Sequence, residues 1–79
     1  MHSVYLLRSI PRPTQRYTGL TSDLEVRLKE HNRGKVASTA DASPWELTAS
    51  ISFPDESKAR AFEAYLKTGS GRAWVKRHL

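Results

Sequence analysis

Tyr5, Tyr17, Arg27, His31 and Glu63 are the side chains of this sequence whose types and order could do chemistry together. Cleaving a phosphodiester of nucleic acid needs an activated water, stabilisation of charge on the phosphoryl oxygens and help for the departing alkoxide. Arg27 offers a planar, permanently charged fork that matches two phosphoryl oxygens. Glu63 is a hard oxygen ligand of the kind that holds Mg²⁺ (or Mn²⁺), which keeps several waters and also binds substrate phosphate. As the one candidate carboxylate of the set, it argues against a two-metal clamp. A phenol with a pKa near 10 is almost fully protonated at neutral pH, so Tyr5 or Tyr17 acting as base needs a nearby cation or metal-bound water. His31, titrating near neutrality, is the other candidate, relaying a tyrosine proton or taking one from water. Gly19 would let backbone and phosphate come close.

Each of these residues also has a plain structural reading. Tyr5 and Tyr17 suit cross-strand partners in a sheet, and Arg27 and Glu63 an ion pair between helices. His31 would be favoured by the dipole near a helix end. Trp45 and Trp74 stand where an apolar stripe needs bulk, and His2 and His78 are terminal and idle on this reading.

Residues 3–8 and 15–20 are rich enough in β-branched and aromatic residues for two strands. Pro11-Arg12-Pro13 joins them, too rigid and long for a two-residue turn, which predicts an antiparallel pair with an arginine-bearing loop. Ser22 is placed to cap a helix from about Asp23 to Arg33, with Glu25 as its capping-box partner and Gly34 as its stop. Arg27 and His31, four apart, then share a face beside Leu24 and Leu28. Residues 35–44 read as a loop. The alternation from Trp45 to Phe53 predicts a third strand with Trp45, Leu47, Ala49, Ile51 and Phe53 on one face. Pro54-Asp55 opens a second helix with Ala59, Phe62 and Leu66 buried, Glu63 at the edge of that stripe and Gly69 as its end. Ser70 is the expected cap of a last short helix that docks Trp74.

The 79 residues have room for one domain, 1–79, with a modest core. The net charge is +5 and the pI near 10.0, the footprint of a nucleic-acid binder. Arg8, Arg12 and Arg16 precede the first acid, Asp23, and Arg72, Lys76 and Arg77 close the chain without one. With Lys35 these are the expected nucleic-acid contacts. There is no cysteine, so disulfides and thiolate metal sites are excluded and a reducing, cytoplasmic setting is expected. No apolar run approaches the roughly 20 residues of a membrane span. Met1-His2-Ser3 leads straight into a strand, so the mature protein is expected to be the whole chain, acting as a monomer.

With Ser3-Val4-Tyr5, Tyr17-Thr18-Gly19, Arg27, His31 and Glu63 in that order, the chain resembles the GIY-YIG endonucleases. It is similar in particular to small single-domain bacterial members like the N-terminal nuclease domain of the excinuclease C subunit. Tyr5 matches the tyrosine ending the first motif, Tyr17 and Gly19 the second, Arg27 the arginine after it, His31 the tyrosine or histidine one turn on, and Glu63 the metal-binding glutamate. The resemblance covers nearly the whole chain and assigns Tyr17 as the first candidate base, with His31 as its helper. Three positions depart from the pattern: Ser3 replaces a glycine, Leu20 stands where some members carry a lysine, and the late asparagine has only Ser70 or Arg72 as substitutes. The expectation is an α/β (α+β) domain, a three-stranded antiparallel sheet flanked by helices in the order β-β-α-β-α-α. Its expected function is Mg²⁺-dependent cleavage of DNA in repair or recombination. The alternatives are a non-catalytic nucleic-acid-binding module with the same fold and an accessory subunit of a repair complex.

Overall fold

The computed structural model describes all 79 residues. Its elements follow the expected order: β1 (His2–Ser9), β2 (Arg16–Thr21), α1 (Leu24–Asn32), β3 (Trp45–Phe53), α2 (Glu56–Leu66) and α3 (Gly69–His78). The strands form one antiparallel sheet in the order β2-β1-β3, so β1 is hydrogen-bonded along both edges. Helices cover both faces of that central strand, which is why Val4, Tyr5, Leu6 and Leu7 are buried without a break. Val4 and Leu6 pack with Ala59, Leu66 and Val75 of α2 and α3. Tyr5 and Leu7 pack on the opposite side with Trp45, Ala42, Tyr17, Leu24 and Leu28.

The single apolar face expected of β3 does not form. Ala49 pairs with Leu6 but Leu47 pairs with Leu7, so Thr48 is the extra residue of a β-bulge. Its hydroxyl donates to the Leu6 carbonyl at 3.0 Å. Because side chains alternate with a period of two, one inserted residue exchanges the faces beyond it. Ala49 and Phe53 therefore join the α2–α3 side, while Trp45 joins Tyr5 and Leu7.

Two helix starts also differ from the expected ones. Asp23, not Ser22, caps α1: its carboxylate accepts the Val26 N–H at 3.2 Å, while the Thr21 hydroxyl takes the Asp23 N–H at 3.1 Å. A charged acceptor at the positive end of the helix dipole outcompetes a serine hydroxyl. Glu25 turns instead toward Lys29, 3.5 Å away. Gly34 ends the helix as expected, at φ +72°. At the other boundary Thr68, not Ser70, caps α3, accepting the Gly71 N–H at 3.1 Å, so Gly69 begins α3 rather than closing α2.

Gly71 is buried where α3 crosses the end of α2, and a Cβ there would collide with the Tyr65 carbonyl and the Leu66 Cα. Both obstacles are backbone, which cannot swing aside. Gly71→Ala is expected to cost about 3 kcal/mol of stability, the upper end of overpacking penalties, whereas Gly69→Ala, in open space, should be neutral or slightly stabilising. Urea denaturation of the two variants against the parent chain checks this.

Candidate active site

On the α1 side of the sheet, Tyr5 stands opposite Gly19 and Tyr17 opposite Leu7. The two tyrosines are therefore diagonal neighbours rather than direct cross-strand partners, with ring centroids 6.2 Å apart. A Cβ at Gly19 would fall within the Tyr5 ring. The room left on the Cβ side of that glycine is filled by the Tyr5 phenol. His31 approaches from the last turn of α1, its ring centroid 5.6 Å from Tyr5 and 5.0 Å from Tyr17.

His31 has no exposed surface, and both ring nitrogens are engaged. Nε2 lies 2.8 Å from the Tyr5 hydroxyl and Nδ1 2.7 Å from the Thr39 hydroxyl. Burial first, and the charge of Arg27 second, hold its pKa below the ordinary value against the opposing pull of Glu30. The imidazole is neutral at neutral pH and enclosed, so it does not take a proton directly from water. Its partner is Tyr5, not the expected Tyr17.

One turn before His31, the Arg27 guanidinium donates to Glu30 at 3.2 Å and lies against the Tyr5 phenol, which strengthens its charged form. Burial pushes the Tyr5 phenol up, opposed by the neighbouring Arg27 guanidinium and reinforced by Tyr17 and Glu63. Tyr5 is 1% exposed, whereas Tyr17 is only half-buried.

Glu63 comes from α2, its side chain 22% exposed and 3.5 Å from Lys67. Its charge reaches Tyr5, which brings it to the cluster, but the ion pair with Arg27 does not form: Arg27 pairs with Glu30 and Glu63 with Lys67. Glu63 lines an open cleft with Thr21, Ser22, His2 and Glu56. No group of three or more His, Cys, Asp or Glu residues gathers there as a closed metal cage. Glu63, with neighbouring hydroxyls and open access, suits Mg²⁺, which is held by one or two carboxylates and retains waters, while Glu56 in the same cleft is paired with Arg60.

The expected cations are spread over several places. Arg8 is paired with Glu46 across β1 and β3. Arg16 and Arg72 line a cleft beside Tyr17, and with Lys76 they continue along a second cleft between β2 and α3. Exposed Arg12 lies in the β1–β2 connection, exposed Lys35 follows Gly34, and Arg77 lines a separate hollow with Tyr65, Trp74 and His78. The ring of His78 lies tilted at 45°, 5.1 Å from Trp74, and His2 sits 3.9 Å from Glu56, so neither terminal histidine is without a neighbour.

Sequence reasoning missed Thr39. Residues 35–44 hold a 3₁₀ turn, Ala40–Ala42, and Thr39, 1% exposed, is folded under it. A threonine in a polar, small-residue loop carries no signal that sets it apart from its neighbours.

Because the folded chain holds His31 neutral, the unfolded chain binds more protons as pH falls below 6.5, the ordinary value. The stability this histidine allows is full above that pH and declines from there toward its lowered folded pKa. The melting temperature is expected to fall between about pH 7 and about pH 5, and the difference between wild type and His31→Gln should shrink over the same window. Thermal melts at fixed ionic strength measure it.

The model of the GIY-YIG catalytic domain matches residues 1–77. The chain is 34% identical to a structure-specific endonuclease subunit SLX1 of Candida dubliniensis over an alignment of 85 positions, which takes in 99% of this chain and 28% of that protein. With the corresponding subunit of Debaryomyces hansenii it shares 36% identity over 73 residues, 84% of this chain and 21% of the relative. A UPF0213 protein of Halalkalibacterium halodurans is 36% identical over 72 residues, 90% of this chain and 74% of that protein. The chain thus spans less than a third of the length of the SLX1 subunits and about three quarters of the bacterial relative. With the motif residues brought together at the edge of an antiparallel sheet and the family model matched almost end to end, the chain belongs to the GIY-YIG nuclease family.

Proposed function

We propose that this chain is a Mg²⁺-dependent endonuclease acting on DNA in repair or recombination, working as one cytoplasmic domain over residues 1–79. The observation that carries the reading is the meeting of Tyr5, Tyr17, His31 and Arg27 with the charge of Glu63 at the β2 edge. Glu63, with the nearby hydroxyls of Thr21 and Ser22, is the residue to hold the ion. When bound, Mg²⁺ supplies Lewis-acid stabilisation of the phosphoryl oxygens and a bound water of lowered pKa. Arg27 stabilises the charge that builds on those oxygens, through the fork that Glu30 and Tyr5 hold in place. Tyr17 is the assigned proton acceptor, because it keeps contact with solvent while Tyr5 does not. Arg72, which shares a cleft with Tyr17, is the better substitute for the family's late asparagine than Ser70, which lines a separate hollow with Tyr65 and Trp74.

Glu63→Gln keeps the size of the side chain and removes the charge a hard cation needs. Cleavage is expected to drop at least about 100-fold, while the exposed contact to Lys67 is worth under about 1 kcal/mol, so melting should barely change. Cleavage of branched, nicked and linear DNA with Mg²⁺, Mn²⁺ or chelator, together with melts on the same preparation, tests it. Wild-type cleavage by Glu63→Gln would overturn the mechanism. Wild-type binding with no cleavage of any substrate would favour the non-catalytic module.

Arg16, Arg72 and Lys76 flank Tyr17 without an acidic partner, which makes the β2–α3 clefts the path for the DNA backbone beyond the scissile phosphate. Each phosphate contact contributes about 0.9 to the slope of log affinity against log salt, so replacing all three by alanine should flatten it by about 2.7. Arg8→Ala, which removes a cation already paired with Glu46, should leave the slope nearly unchanged. Equilibrium binding to duplex DNA in chelator, across a salt series, reads both.

A further inference from the structure

A buried chain of hydrogen bonds behind Tyr5 runs from the Val36 carbonyl through the Thr39 hydroxyl and the His31 ring to the Tyr5 hydroxyl. At one end the Thr39 hydroxyl lies 3.3 Å from the Val36 carbonyl, which can only accept, so Thr39 donates there. With that proton on the Val36 carbonyl, Thr39 accepts from His31 Nδ1, 2.7 Å away. The neutral ring then carries its proton on Nδ1 and offers the Nε2 lone pair to Tyr5, whose hydroxyl donates across 2.8 Å. With its proton turned to His31, the Tyr5 oxygen keeps its lone pairs for Arg27, whose charged form the phenol strengthens. Thr39 is itself anchored, since its backbone carbonyl accepts the Trp45 Nε1–H at 2.8 Å.

We infer that Thr39 is a positioning residue for the reaction: by accepting from His31 Nδ1 it selects the histidine tautomer that turns the Tyr5 oxygen toward Arg27 and so aims the phosphate-binding fork. The inference rests on the nuclease reading for its effect on rate but not for its effect on the tautomer. The groups that face His31 are Tyr5 and Tyr17 from the sheet, Arg27 and Glu30 from its own helix, and Thr39 from the loop. Only Thr39 touches Nδ1.

The test replaces Thr39 by valine, which keeps the shape and removes the acceptor, and by serine, which keeps the hydroxyl. The ¹⁵N shifts of the His31 ring at neutral pH should show the proton on Nδ1 in wild type and Thr39→Ser, and on Nε2 or shared in Thr39→Val. With DNA and Mg²⁺, kcat should fall roughly 10- to 100-fold in Thr39→Val, with KM held within about twofold, and recover in Thr39→Ser. A wild-type ring protonated on Nε2, or a Thr39→Val ring unchanged from wild type, would overturn the assignment. So would a shifted tautomer with undiminished kcat. A wild-type chain that cuts no DNA would overturn the nuclease reading, and the ring shifts would still decide whether Thr39 orients Tyr5.

Discussion

An imidazole without exposed surface needs a partner at each nitrogen, because an unpaired buried polar group costs about 1–3 kcal/mol. His31 obtains its two from opposite directions, the central strand and the loop after α1. Much of the surrounding architecture follows from that demand. Tyr5 can extend toward the histidine because Gly19 leaves its ring a place to lie. Thr39 can reach it because the loop is folded in, held by the Trp45 indole on the Thr39 carbonyl and by the Asn32 side chain, which accepts the Trp45 N–H at 2.6 Å. No buried side-chain polar atom is left without a partner, so the cluster serves the site without weakening the core around it.

The sheet divides two tasks between its faces. The side under α2 and α3 is apolar, with Phe53, Phe62 and Trp74 at the margin of Val4, Leu6 and Leu66. The α1 side mixes Leu7 and Trp45 with the polar chain. Glu63 belongs by its helix to the first side and by its charge to the second, meeting the tyrosines around the β2 edge. An edge strand flanked by open clefts and unpaired cations leaves room for an extended polyanion. A deep pocket would admit only a small one.

Legibility in the sequence followed the range of the interactions. The strands, the helices and the ordered motif from Tyr5 to Glu63 were readable because periodicity and fixed offsets are local signals. Gly34 was read as a helix stop on the same ground. The cap at Asp23 was missed by one residue, since Ser22 and Asp23 both suit the position and only the side-chain geometry chooses. The faces of β3 were misread because alternation cannot reveal a bulge, which depends on the register against β1. Thr39 and the choice of Tyr5 over Tyr17 as the partner of His31 lie further out of reach, being set by contacts between segments far apart in the chain.

The placement of β1 between β2 and β3 has a consequence for how the molecule comes to be folded. Arg8 and Arg16 are eight residues apart and close a short hairpin, whereas Ser9 and Trp45, its neighbours in the other ladder, are 36 apart. Joining distant segments costs more chain entropy before any contact rewards it, so the second pairing is the slower event. Tyr5 and Tyr17 are brought near each other by the fast step. His31 is enclosed only when β3 arrives and Trp45 draws the loop inward. By this order of pairing the tyrosine pair assembles before the histidine is enclosed, and a hairpin alone holds two of the five site residues.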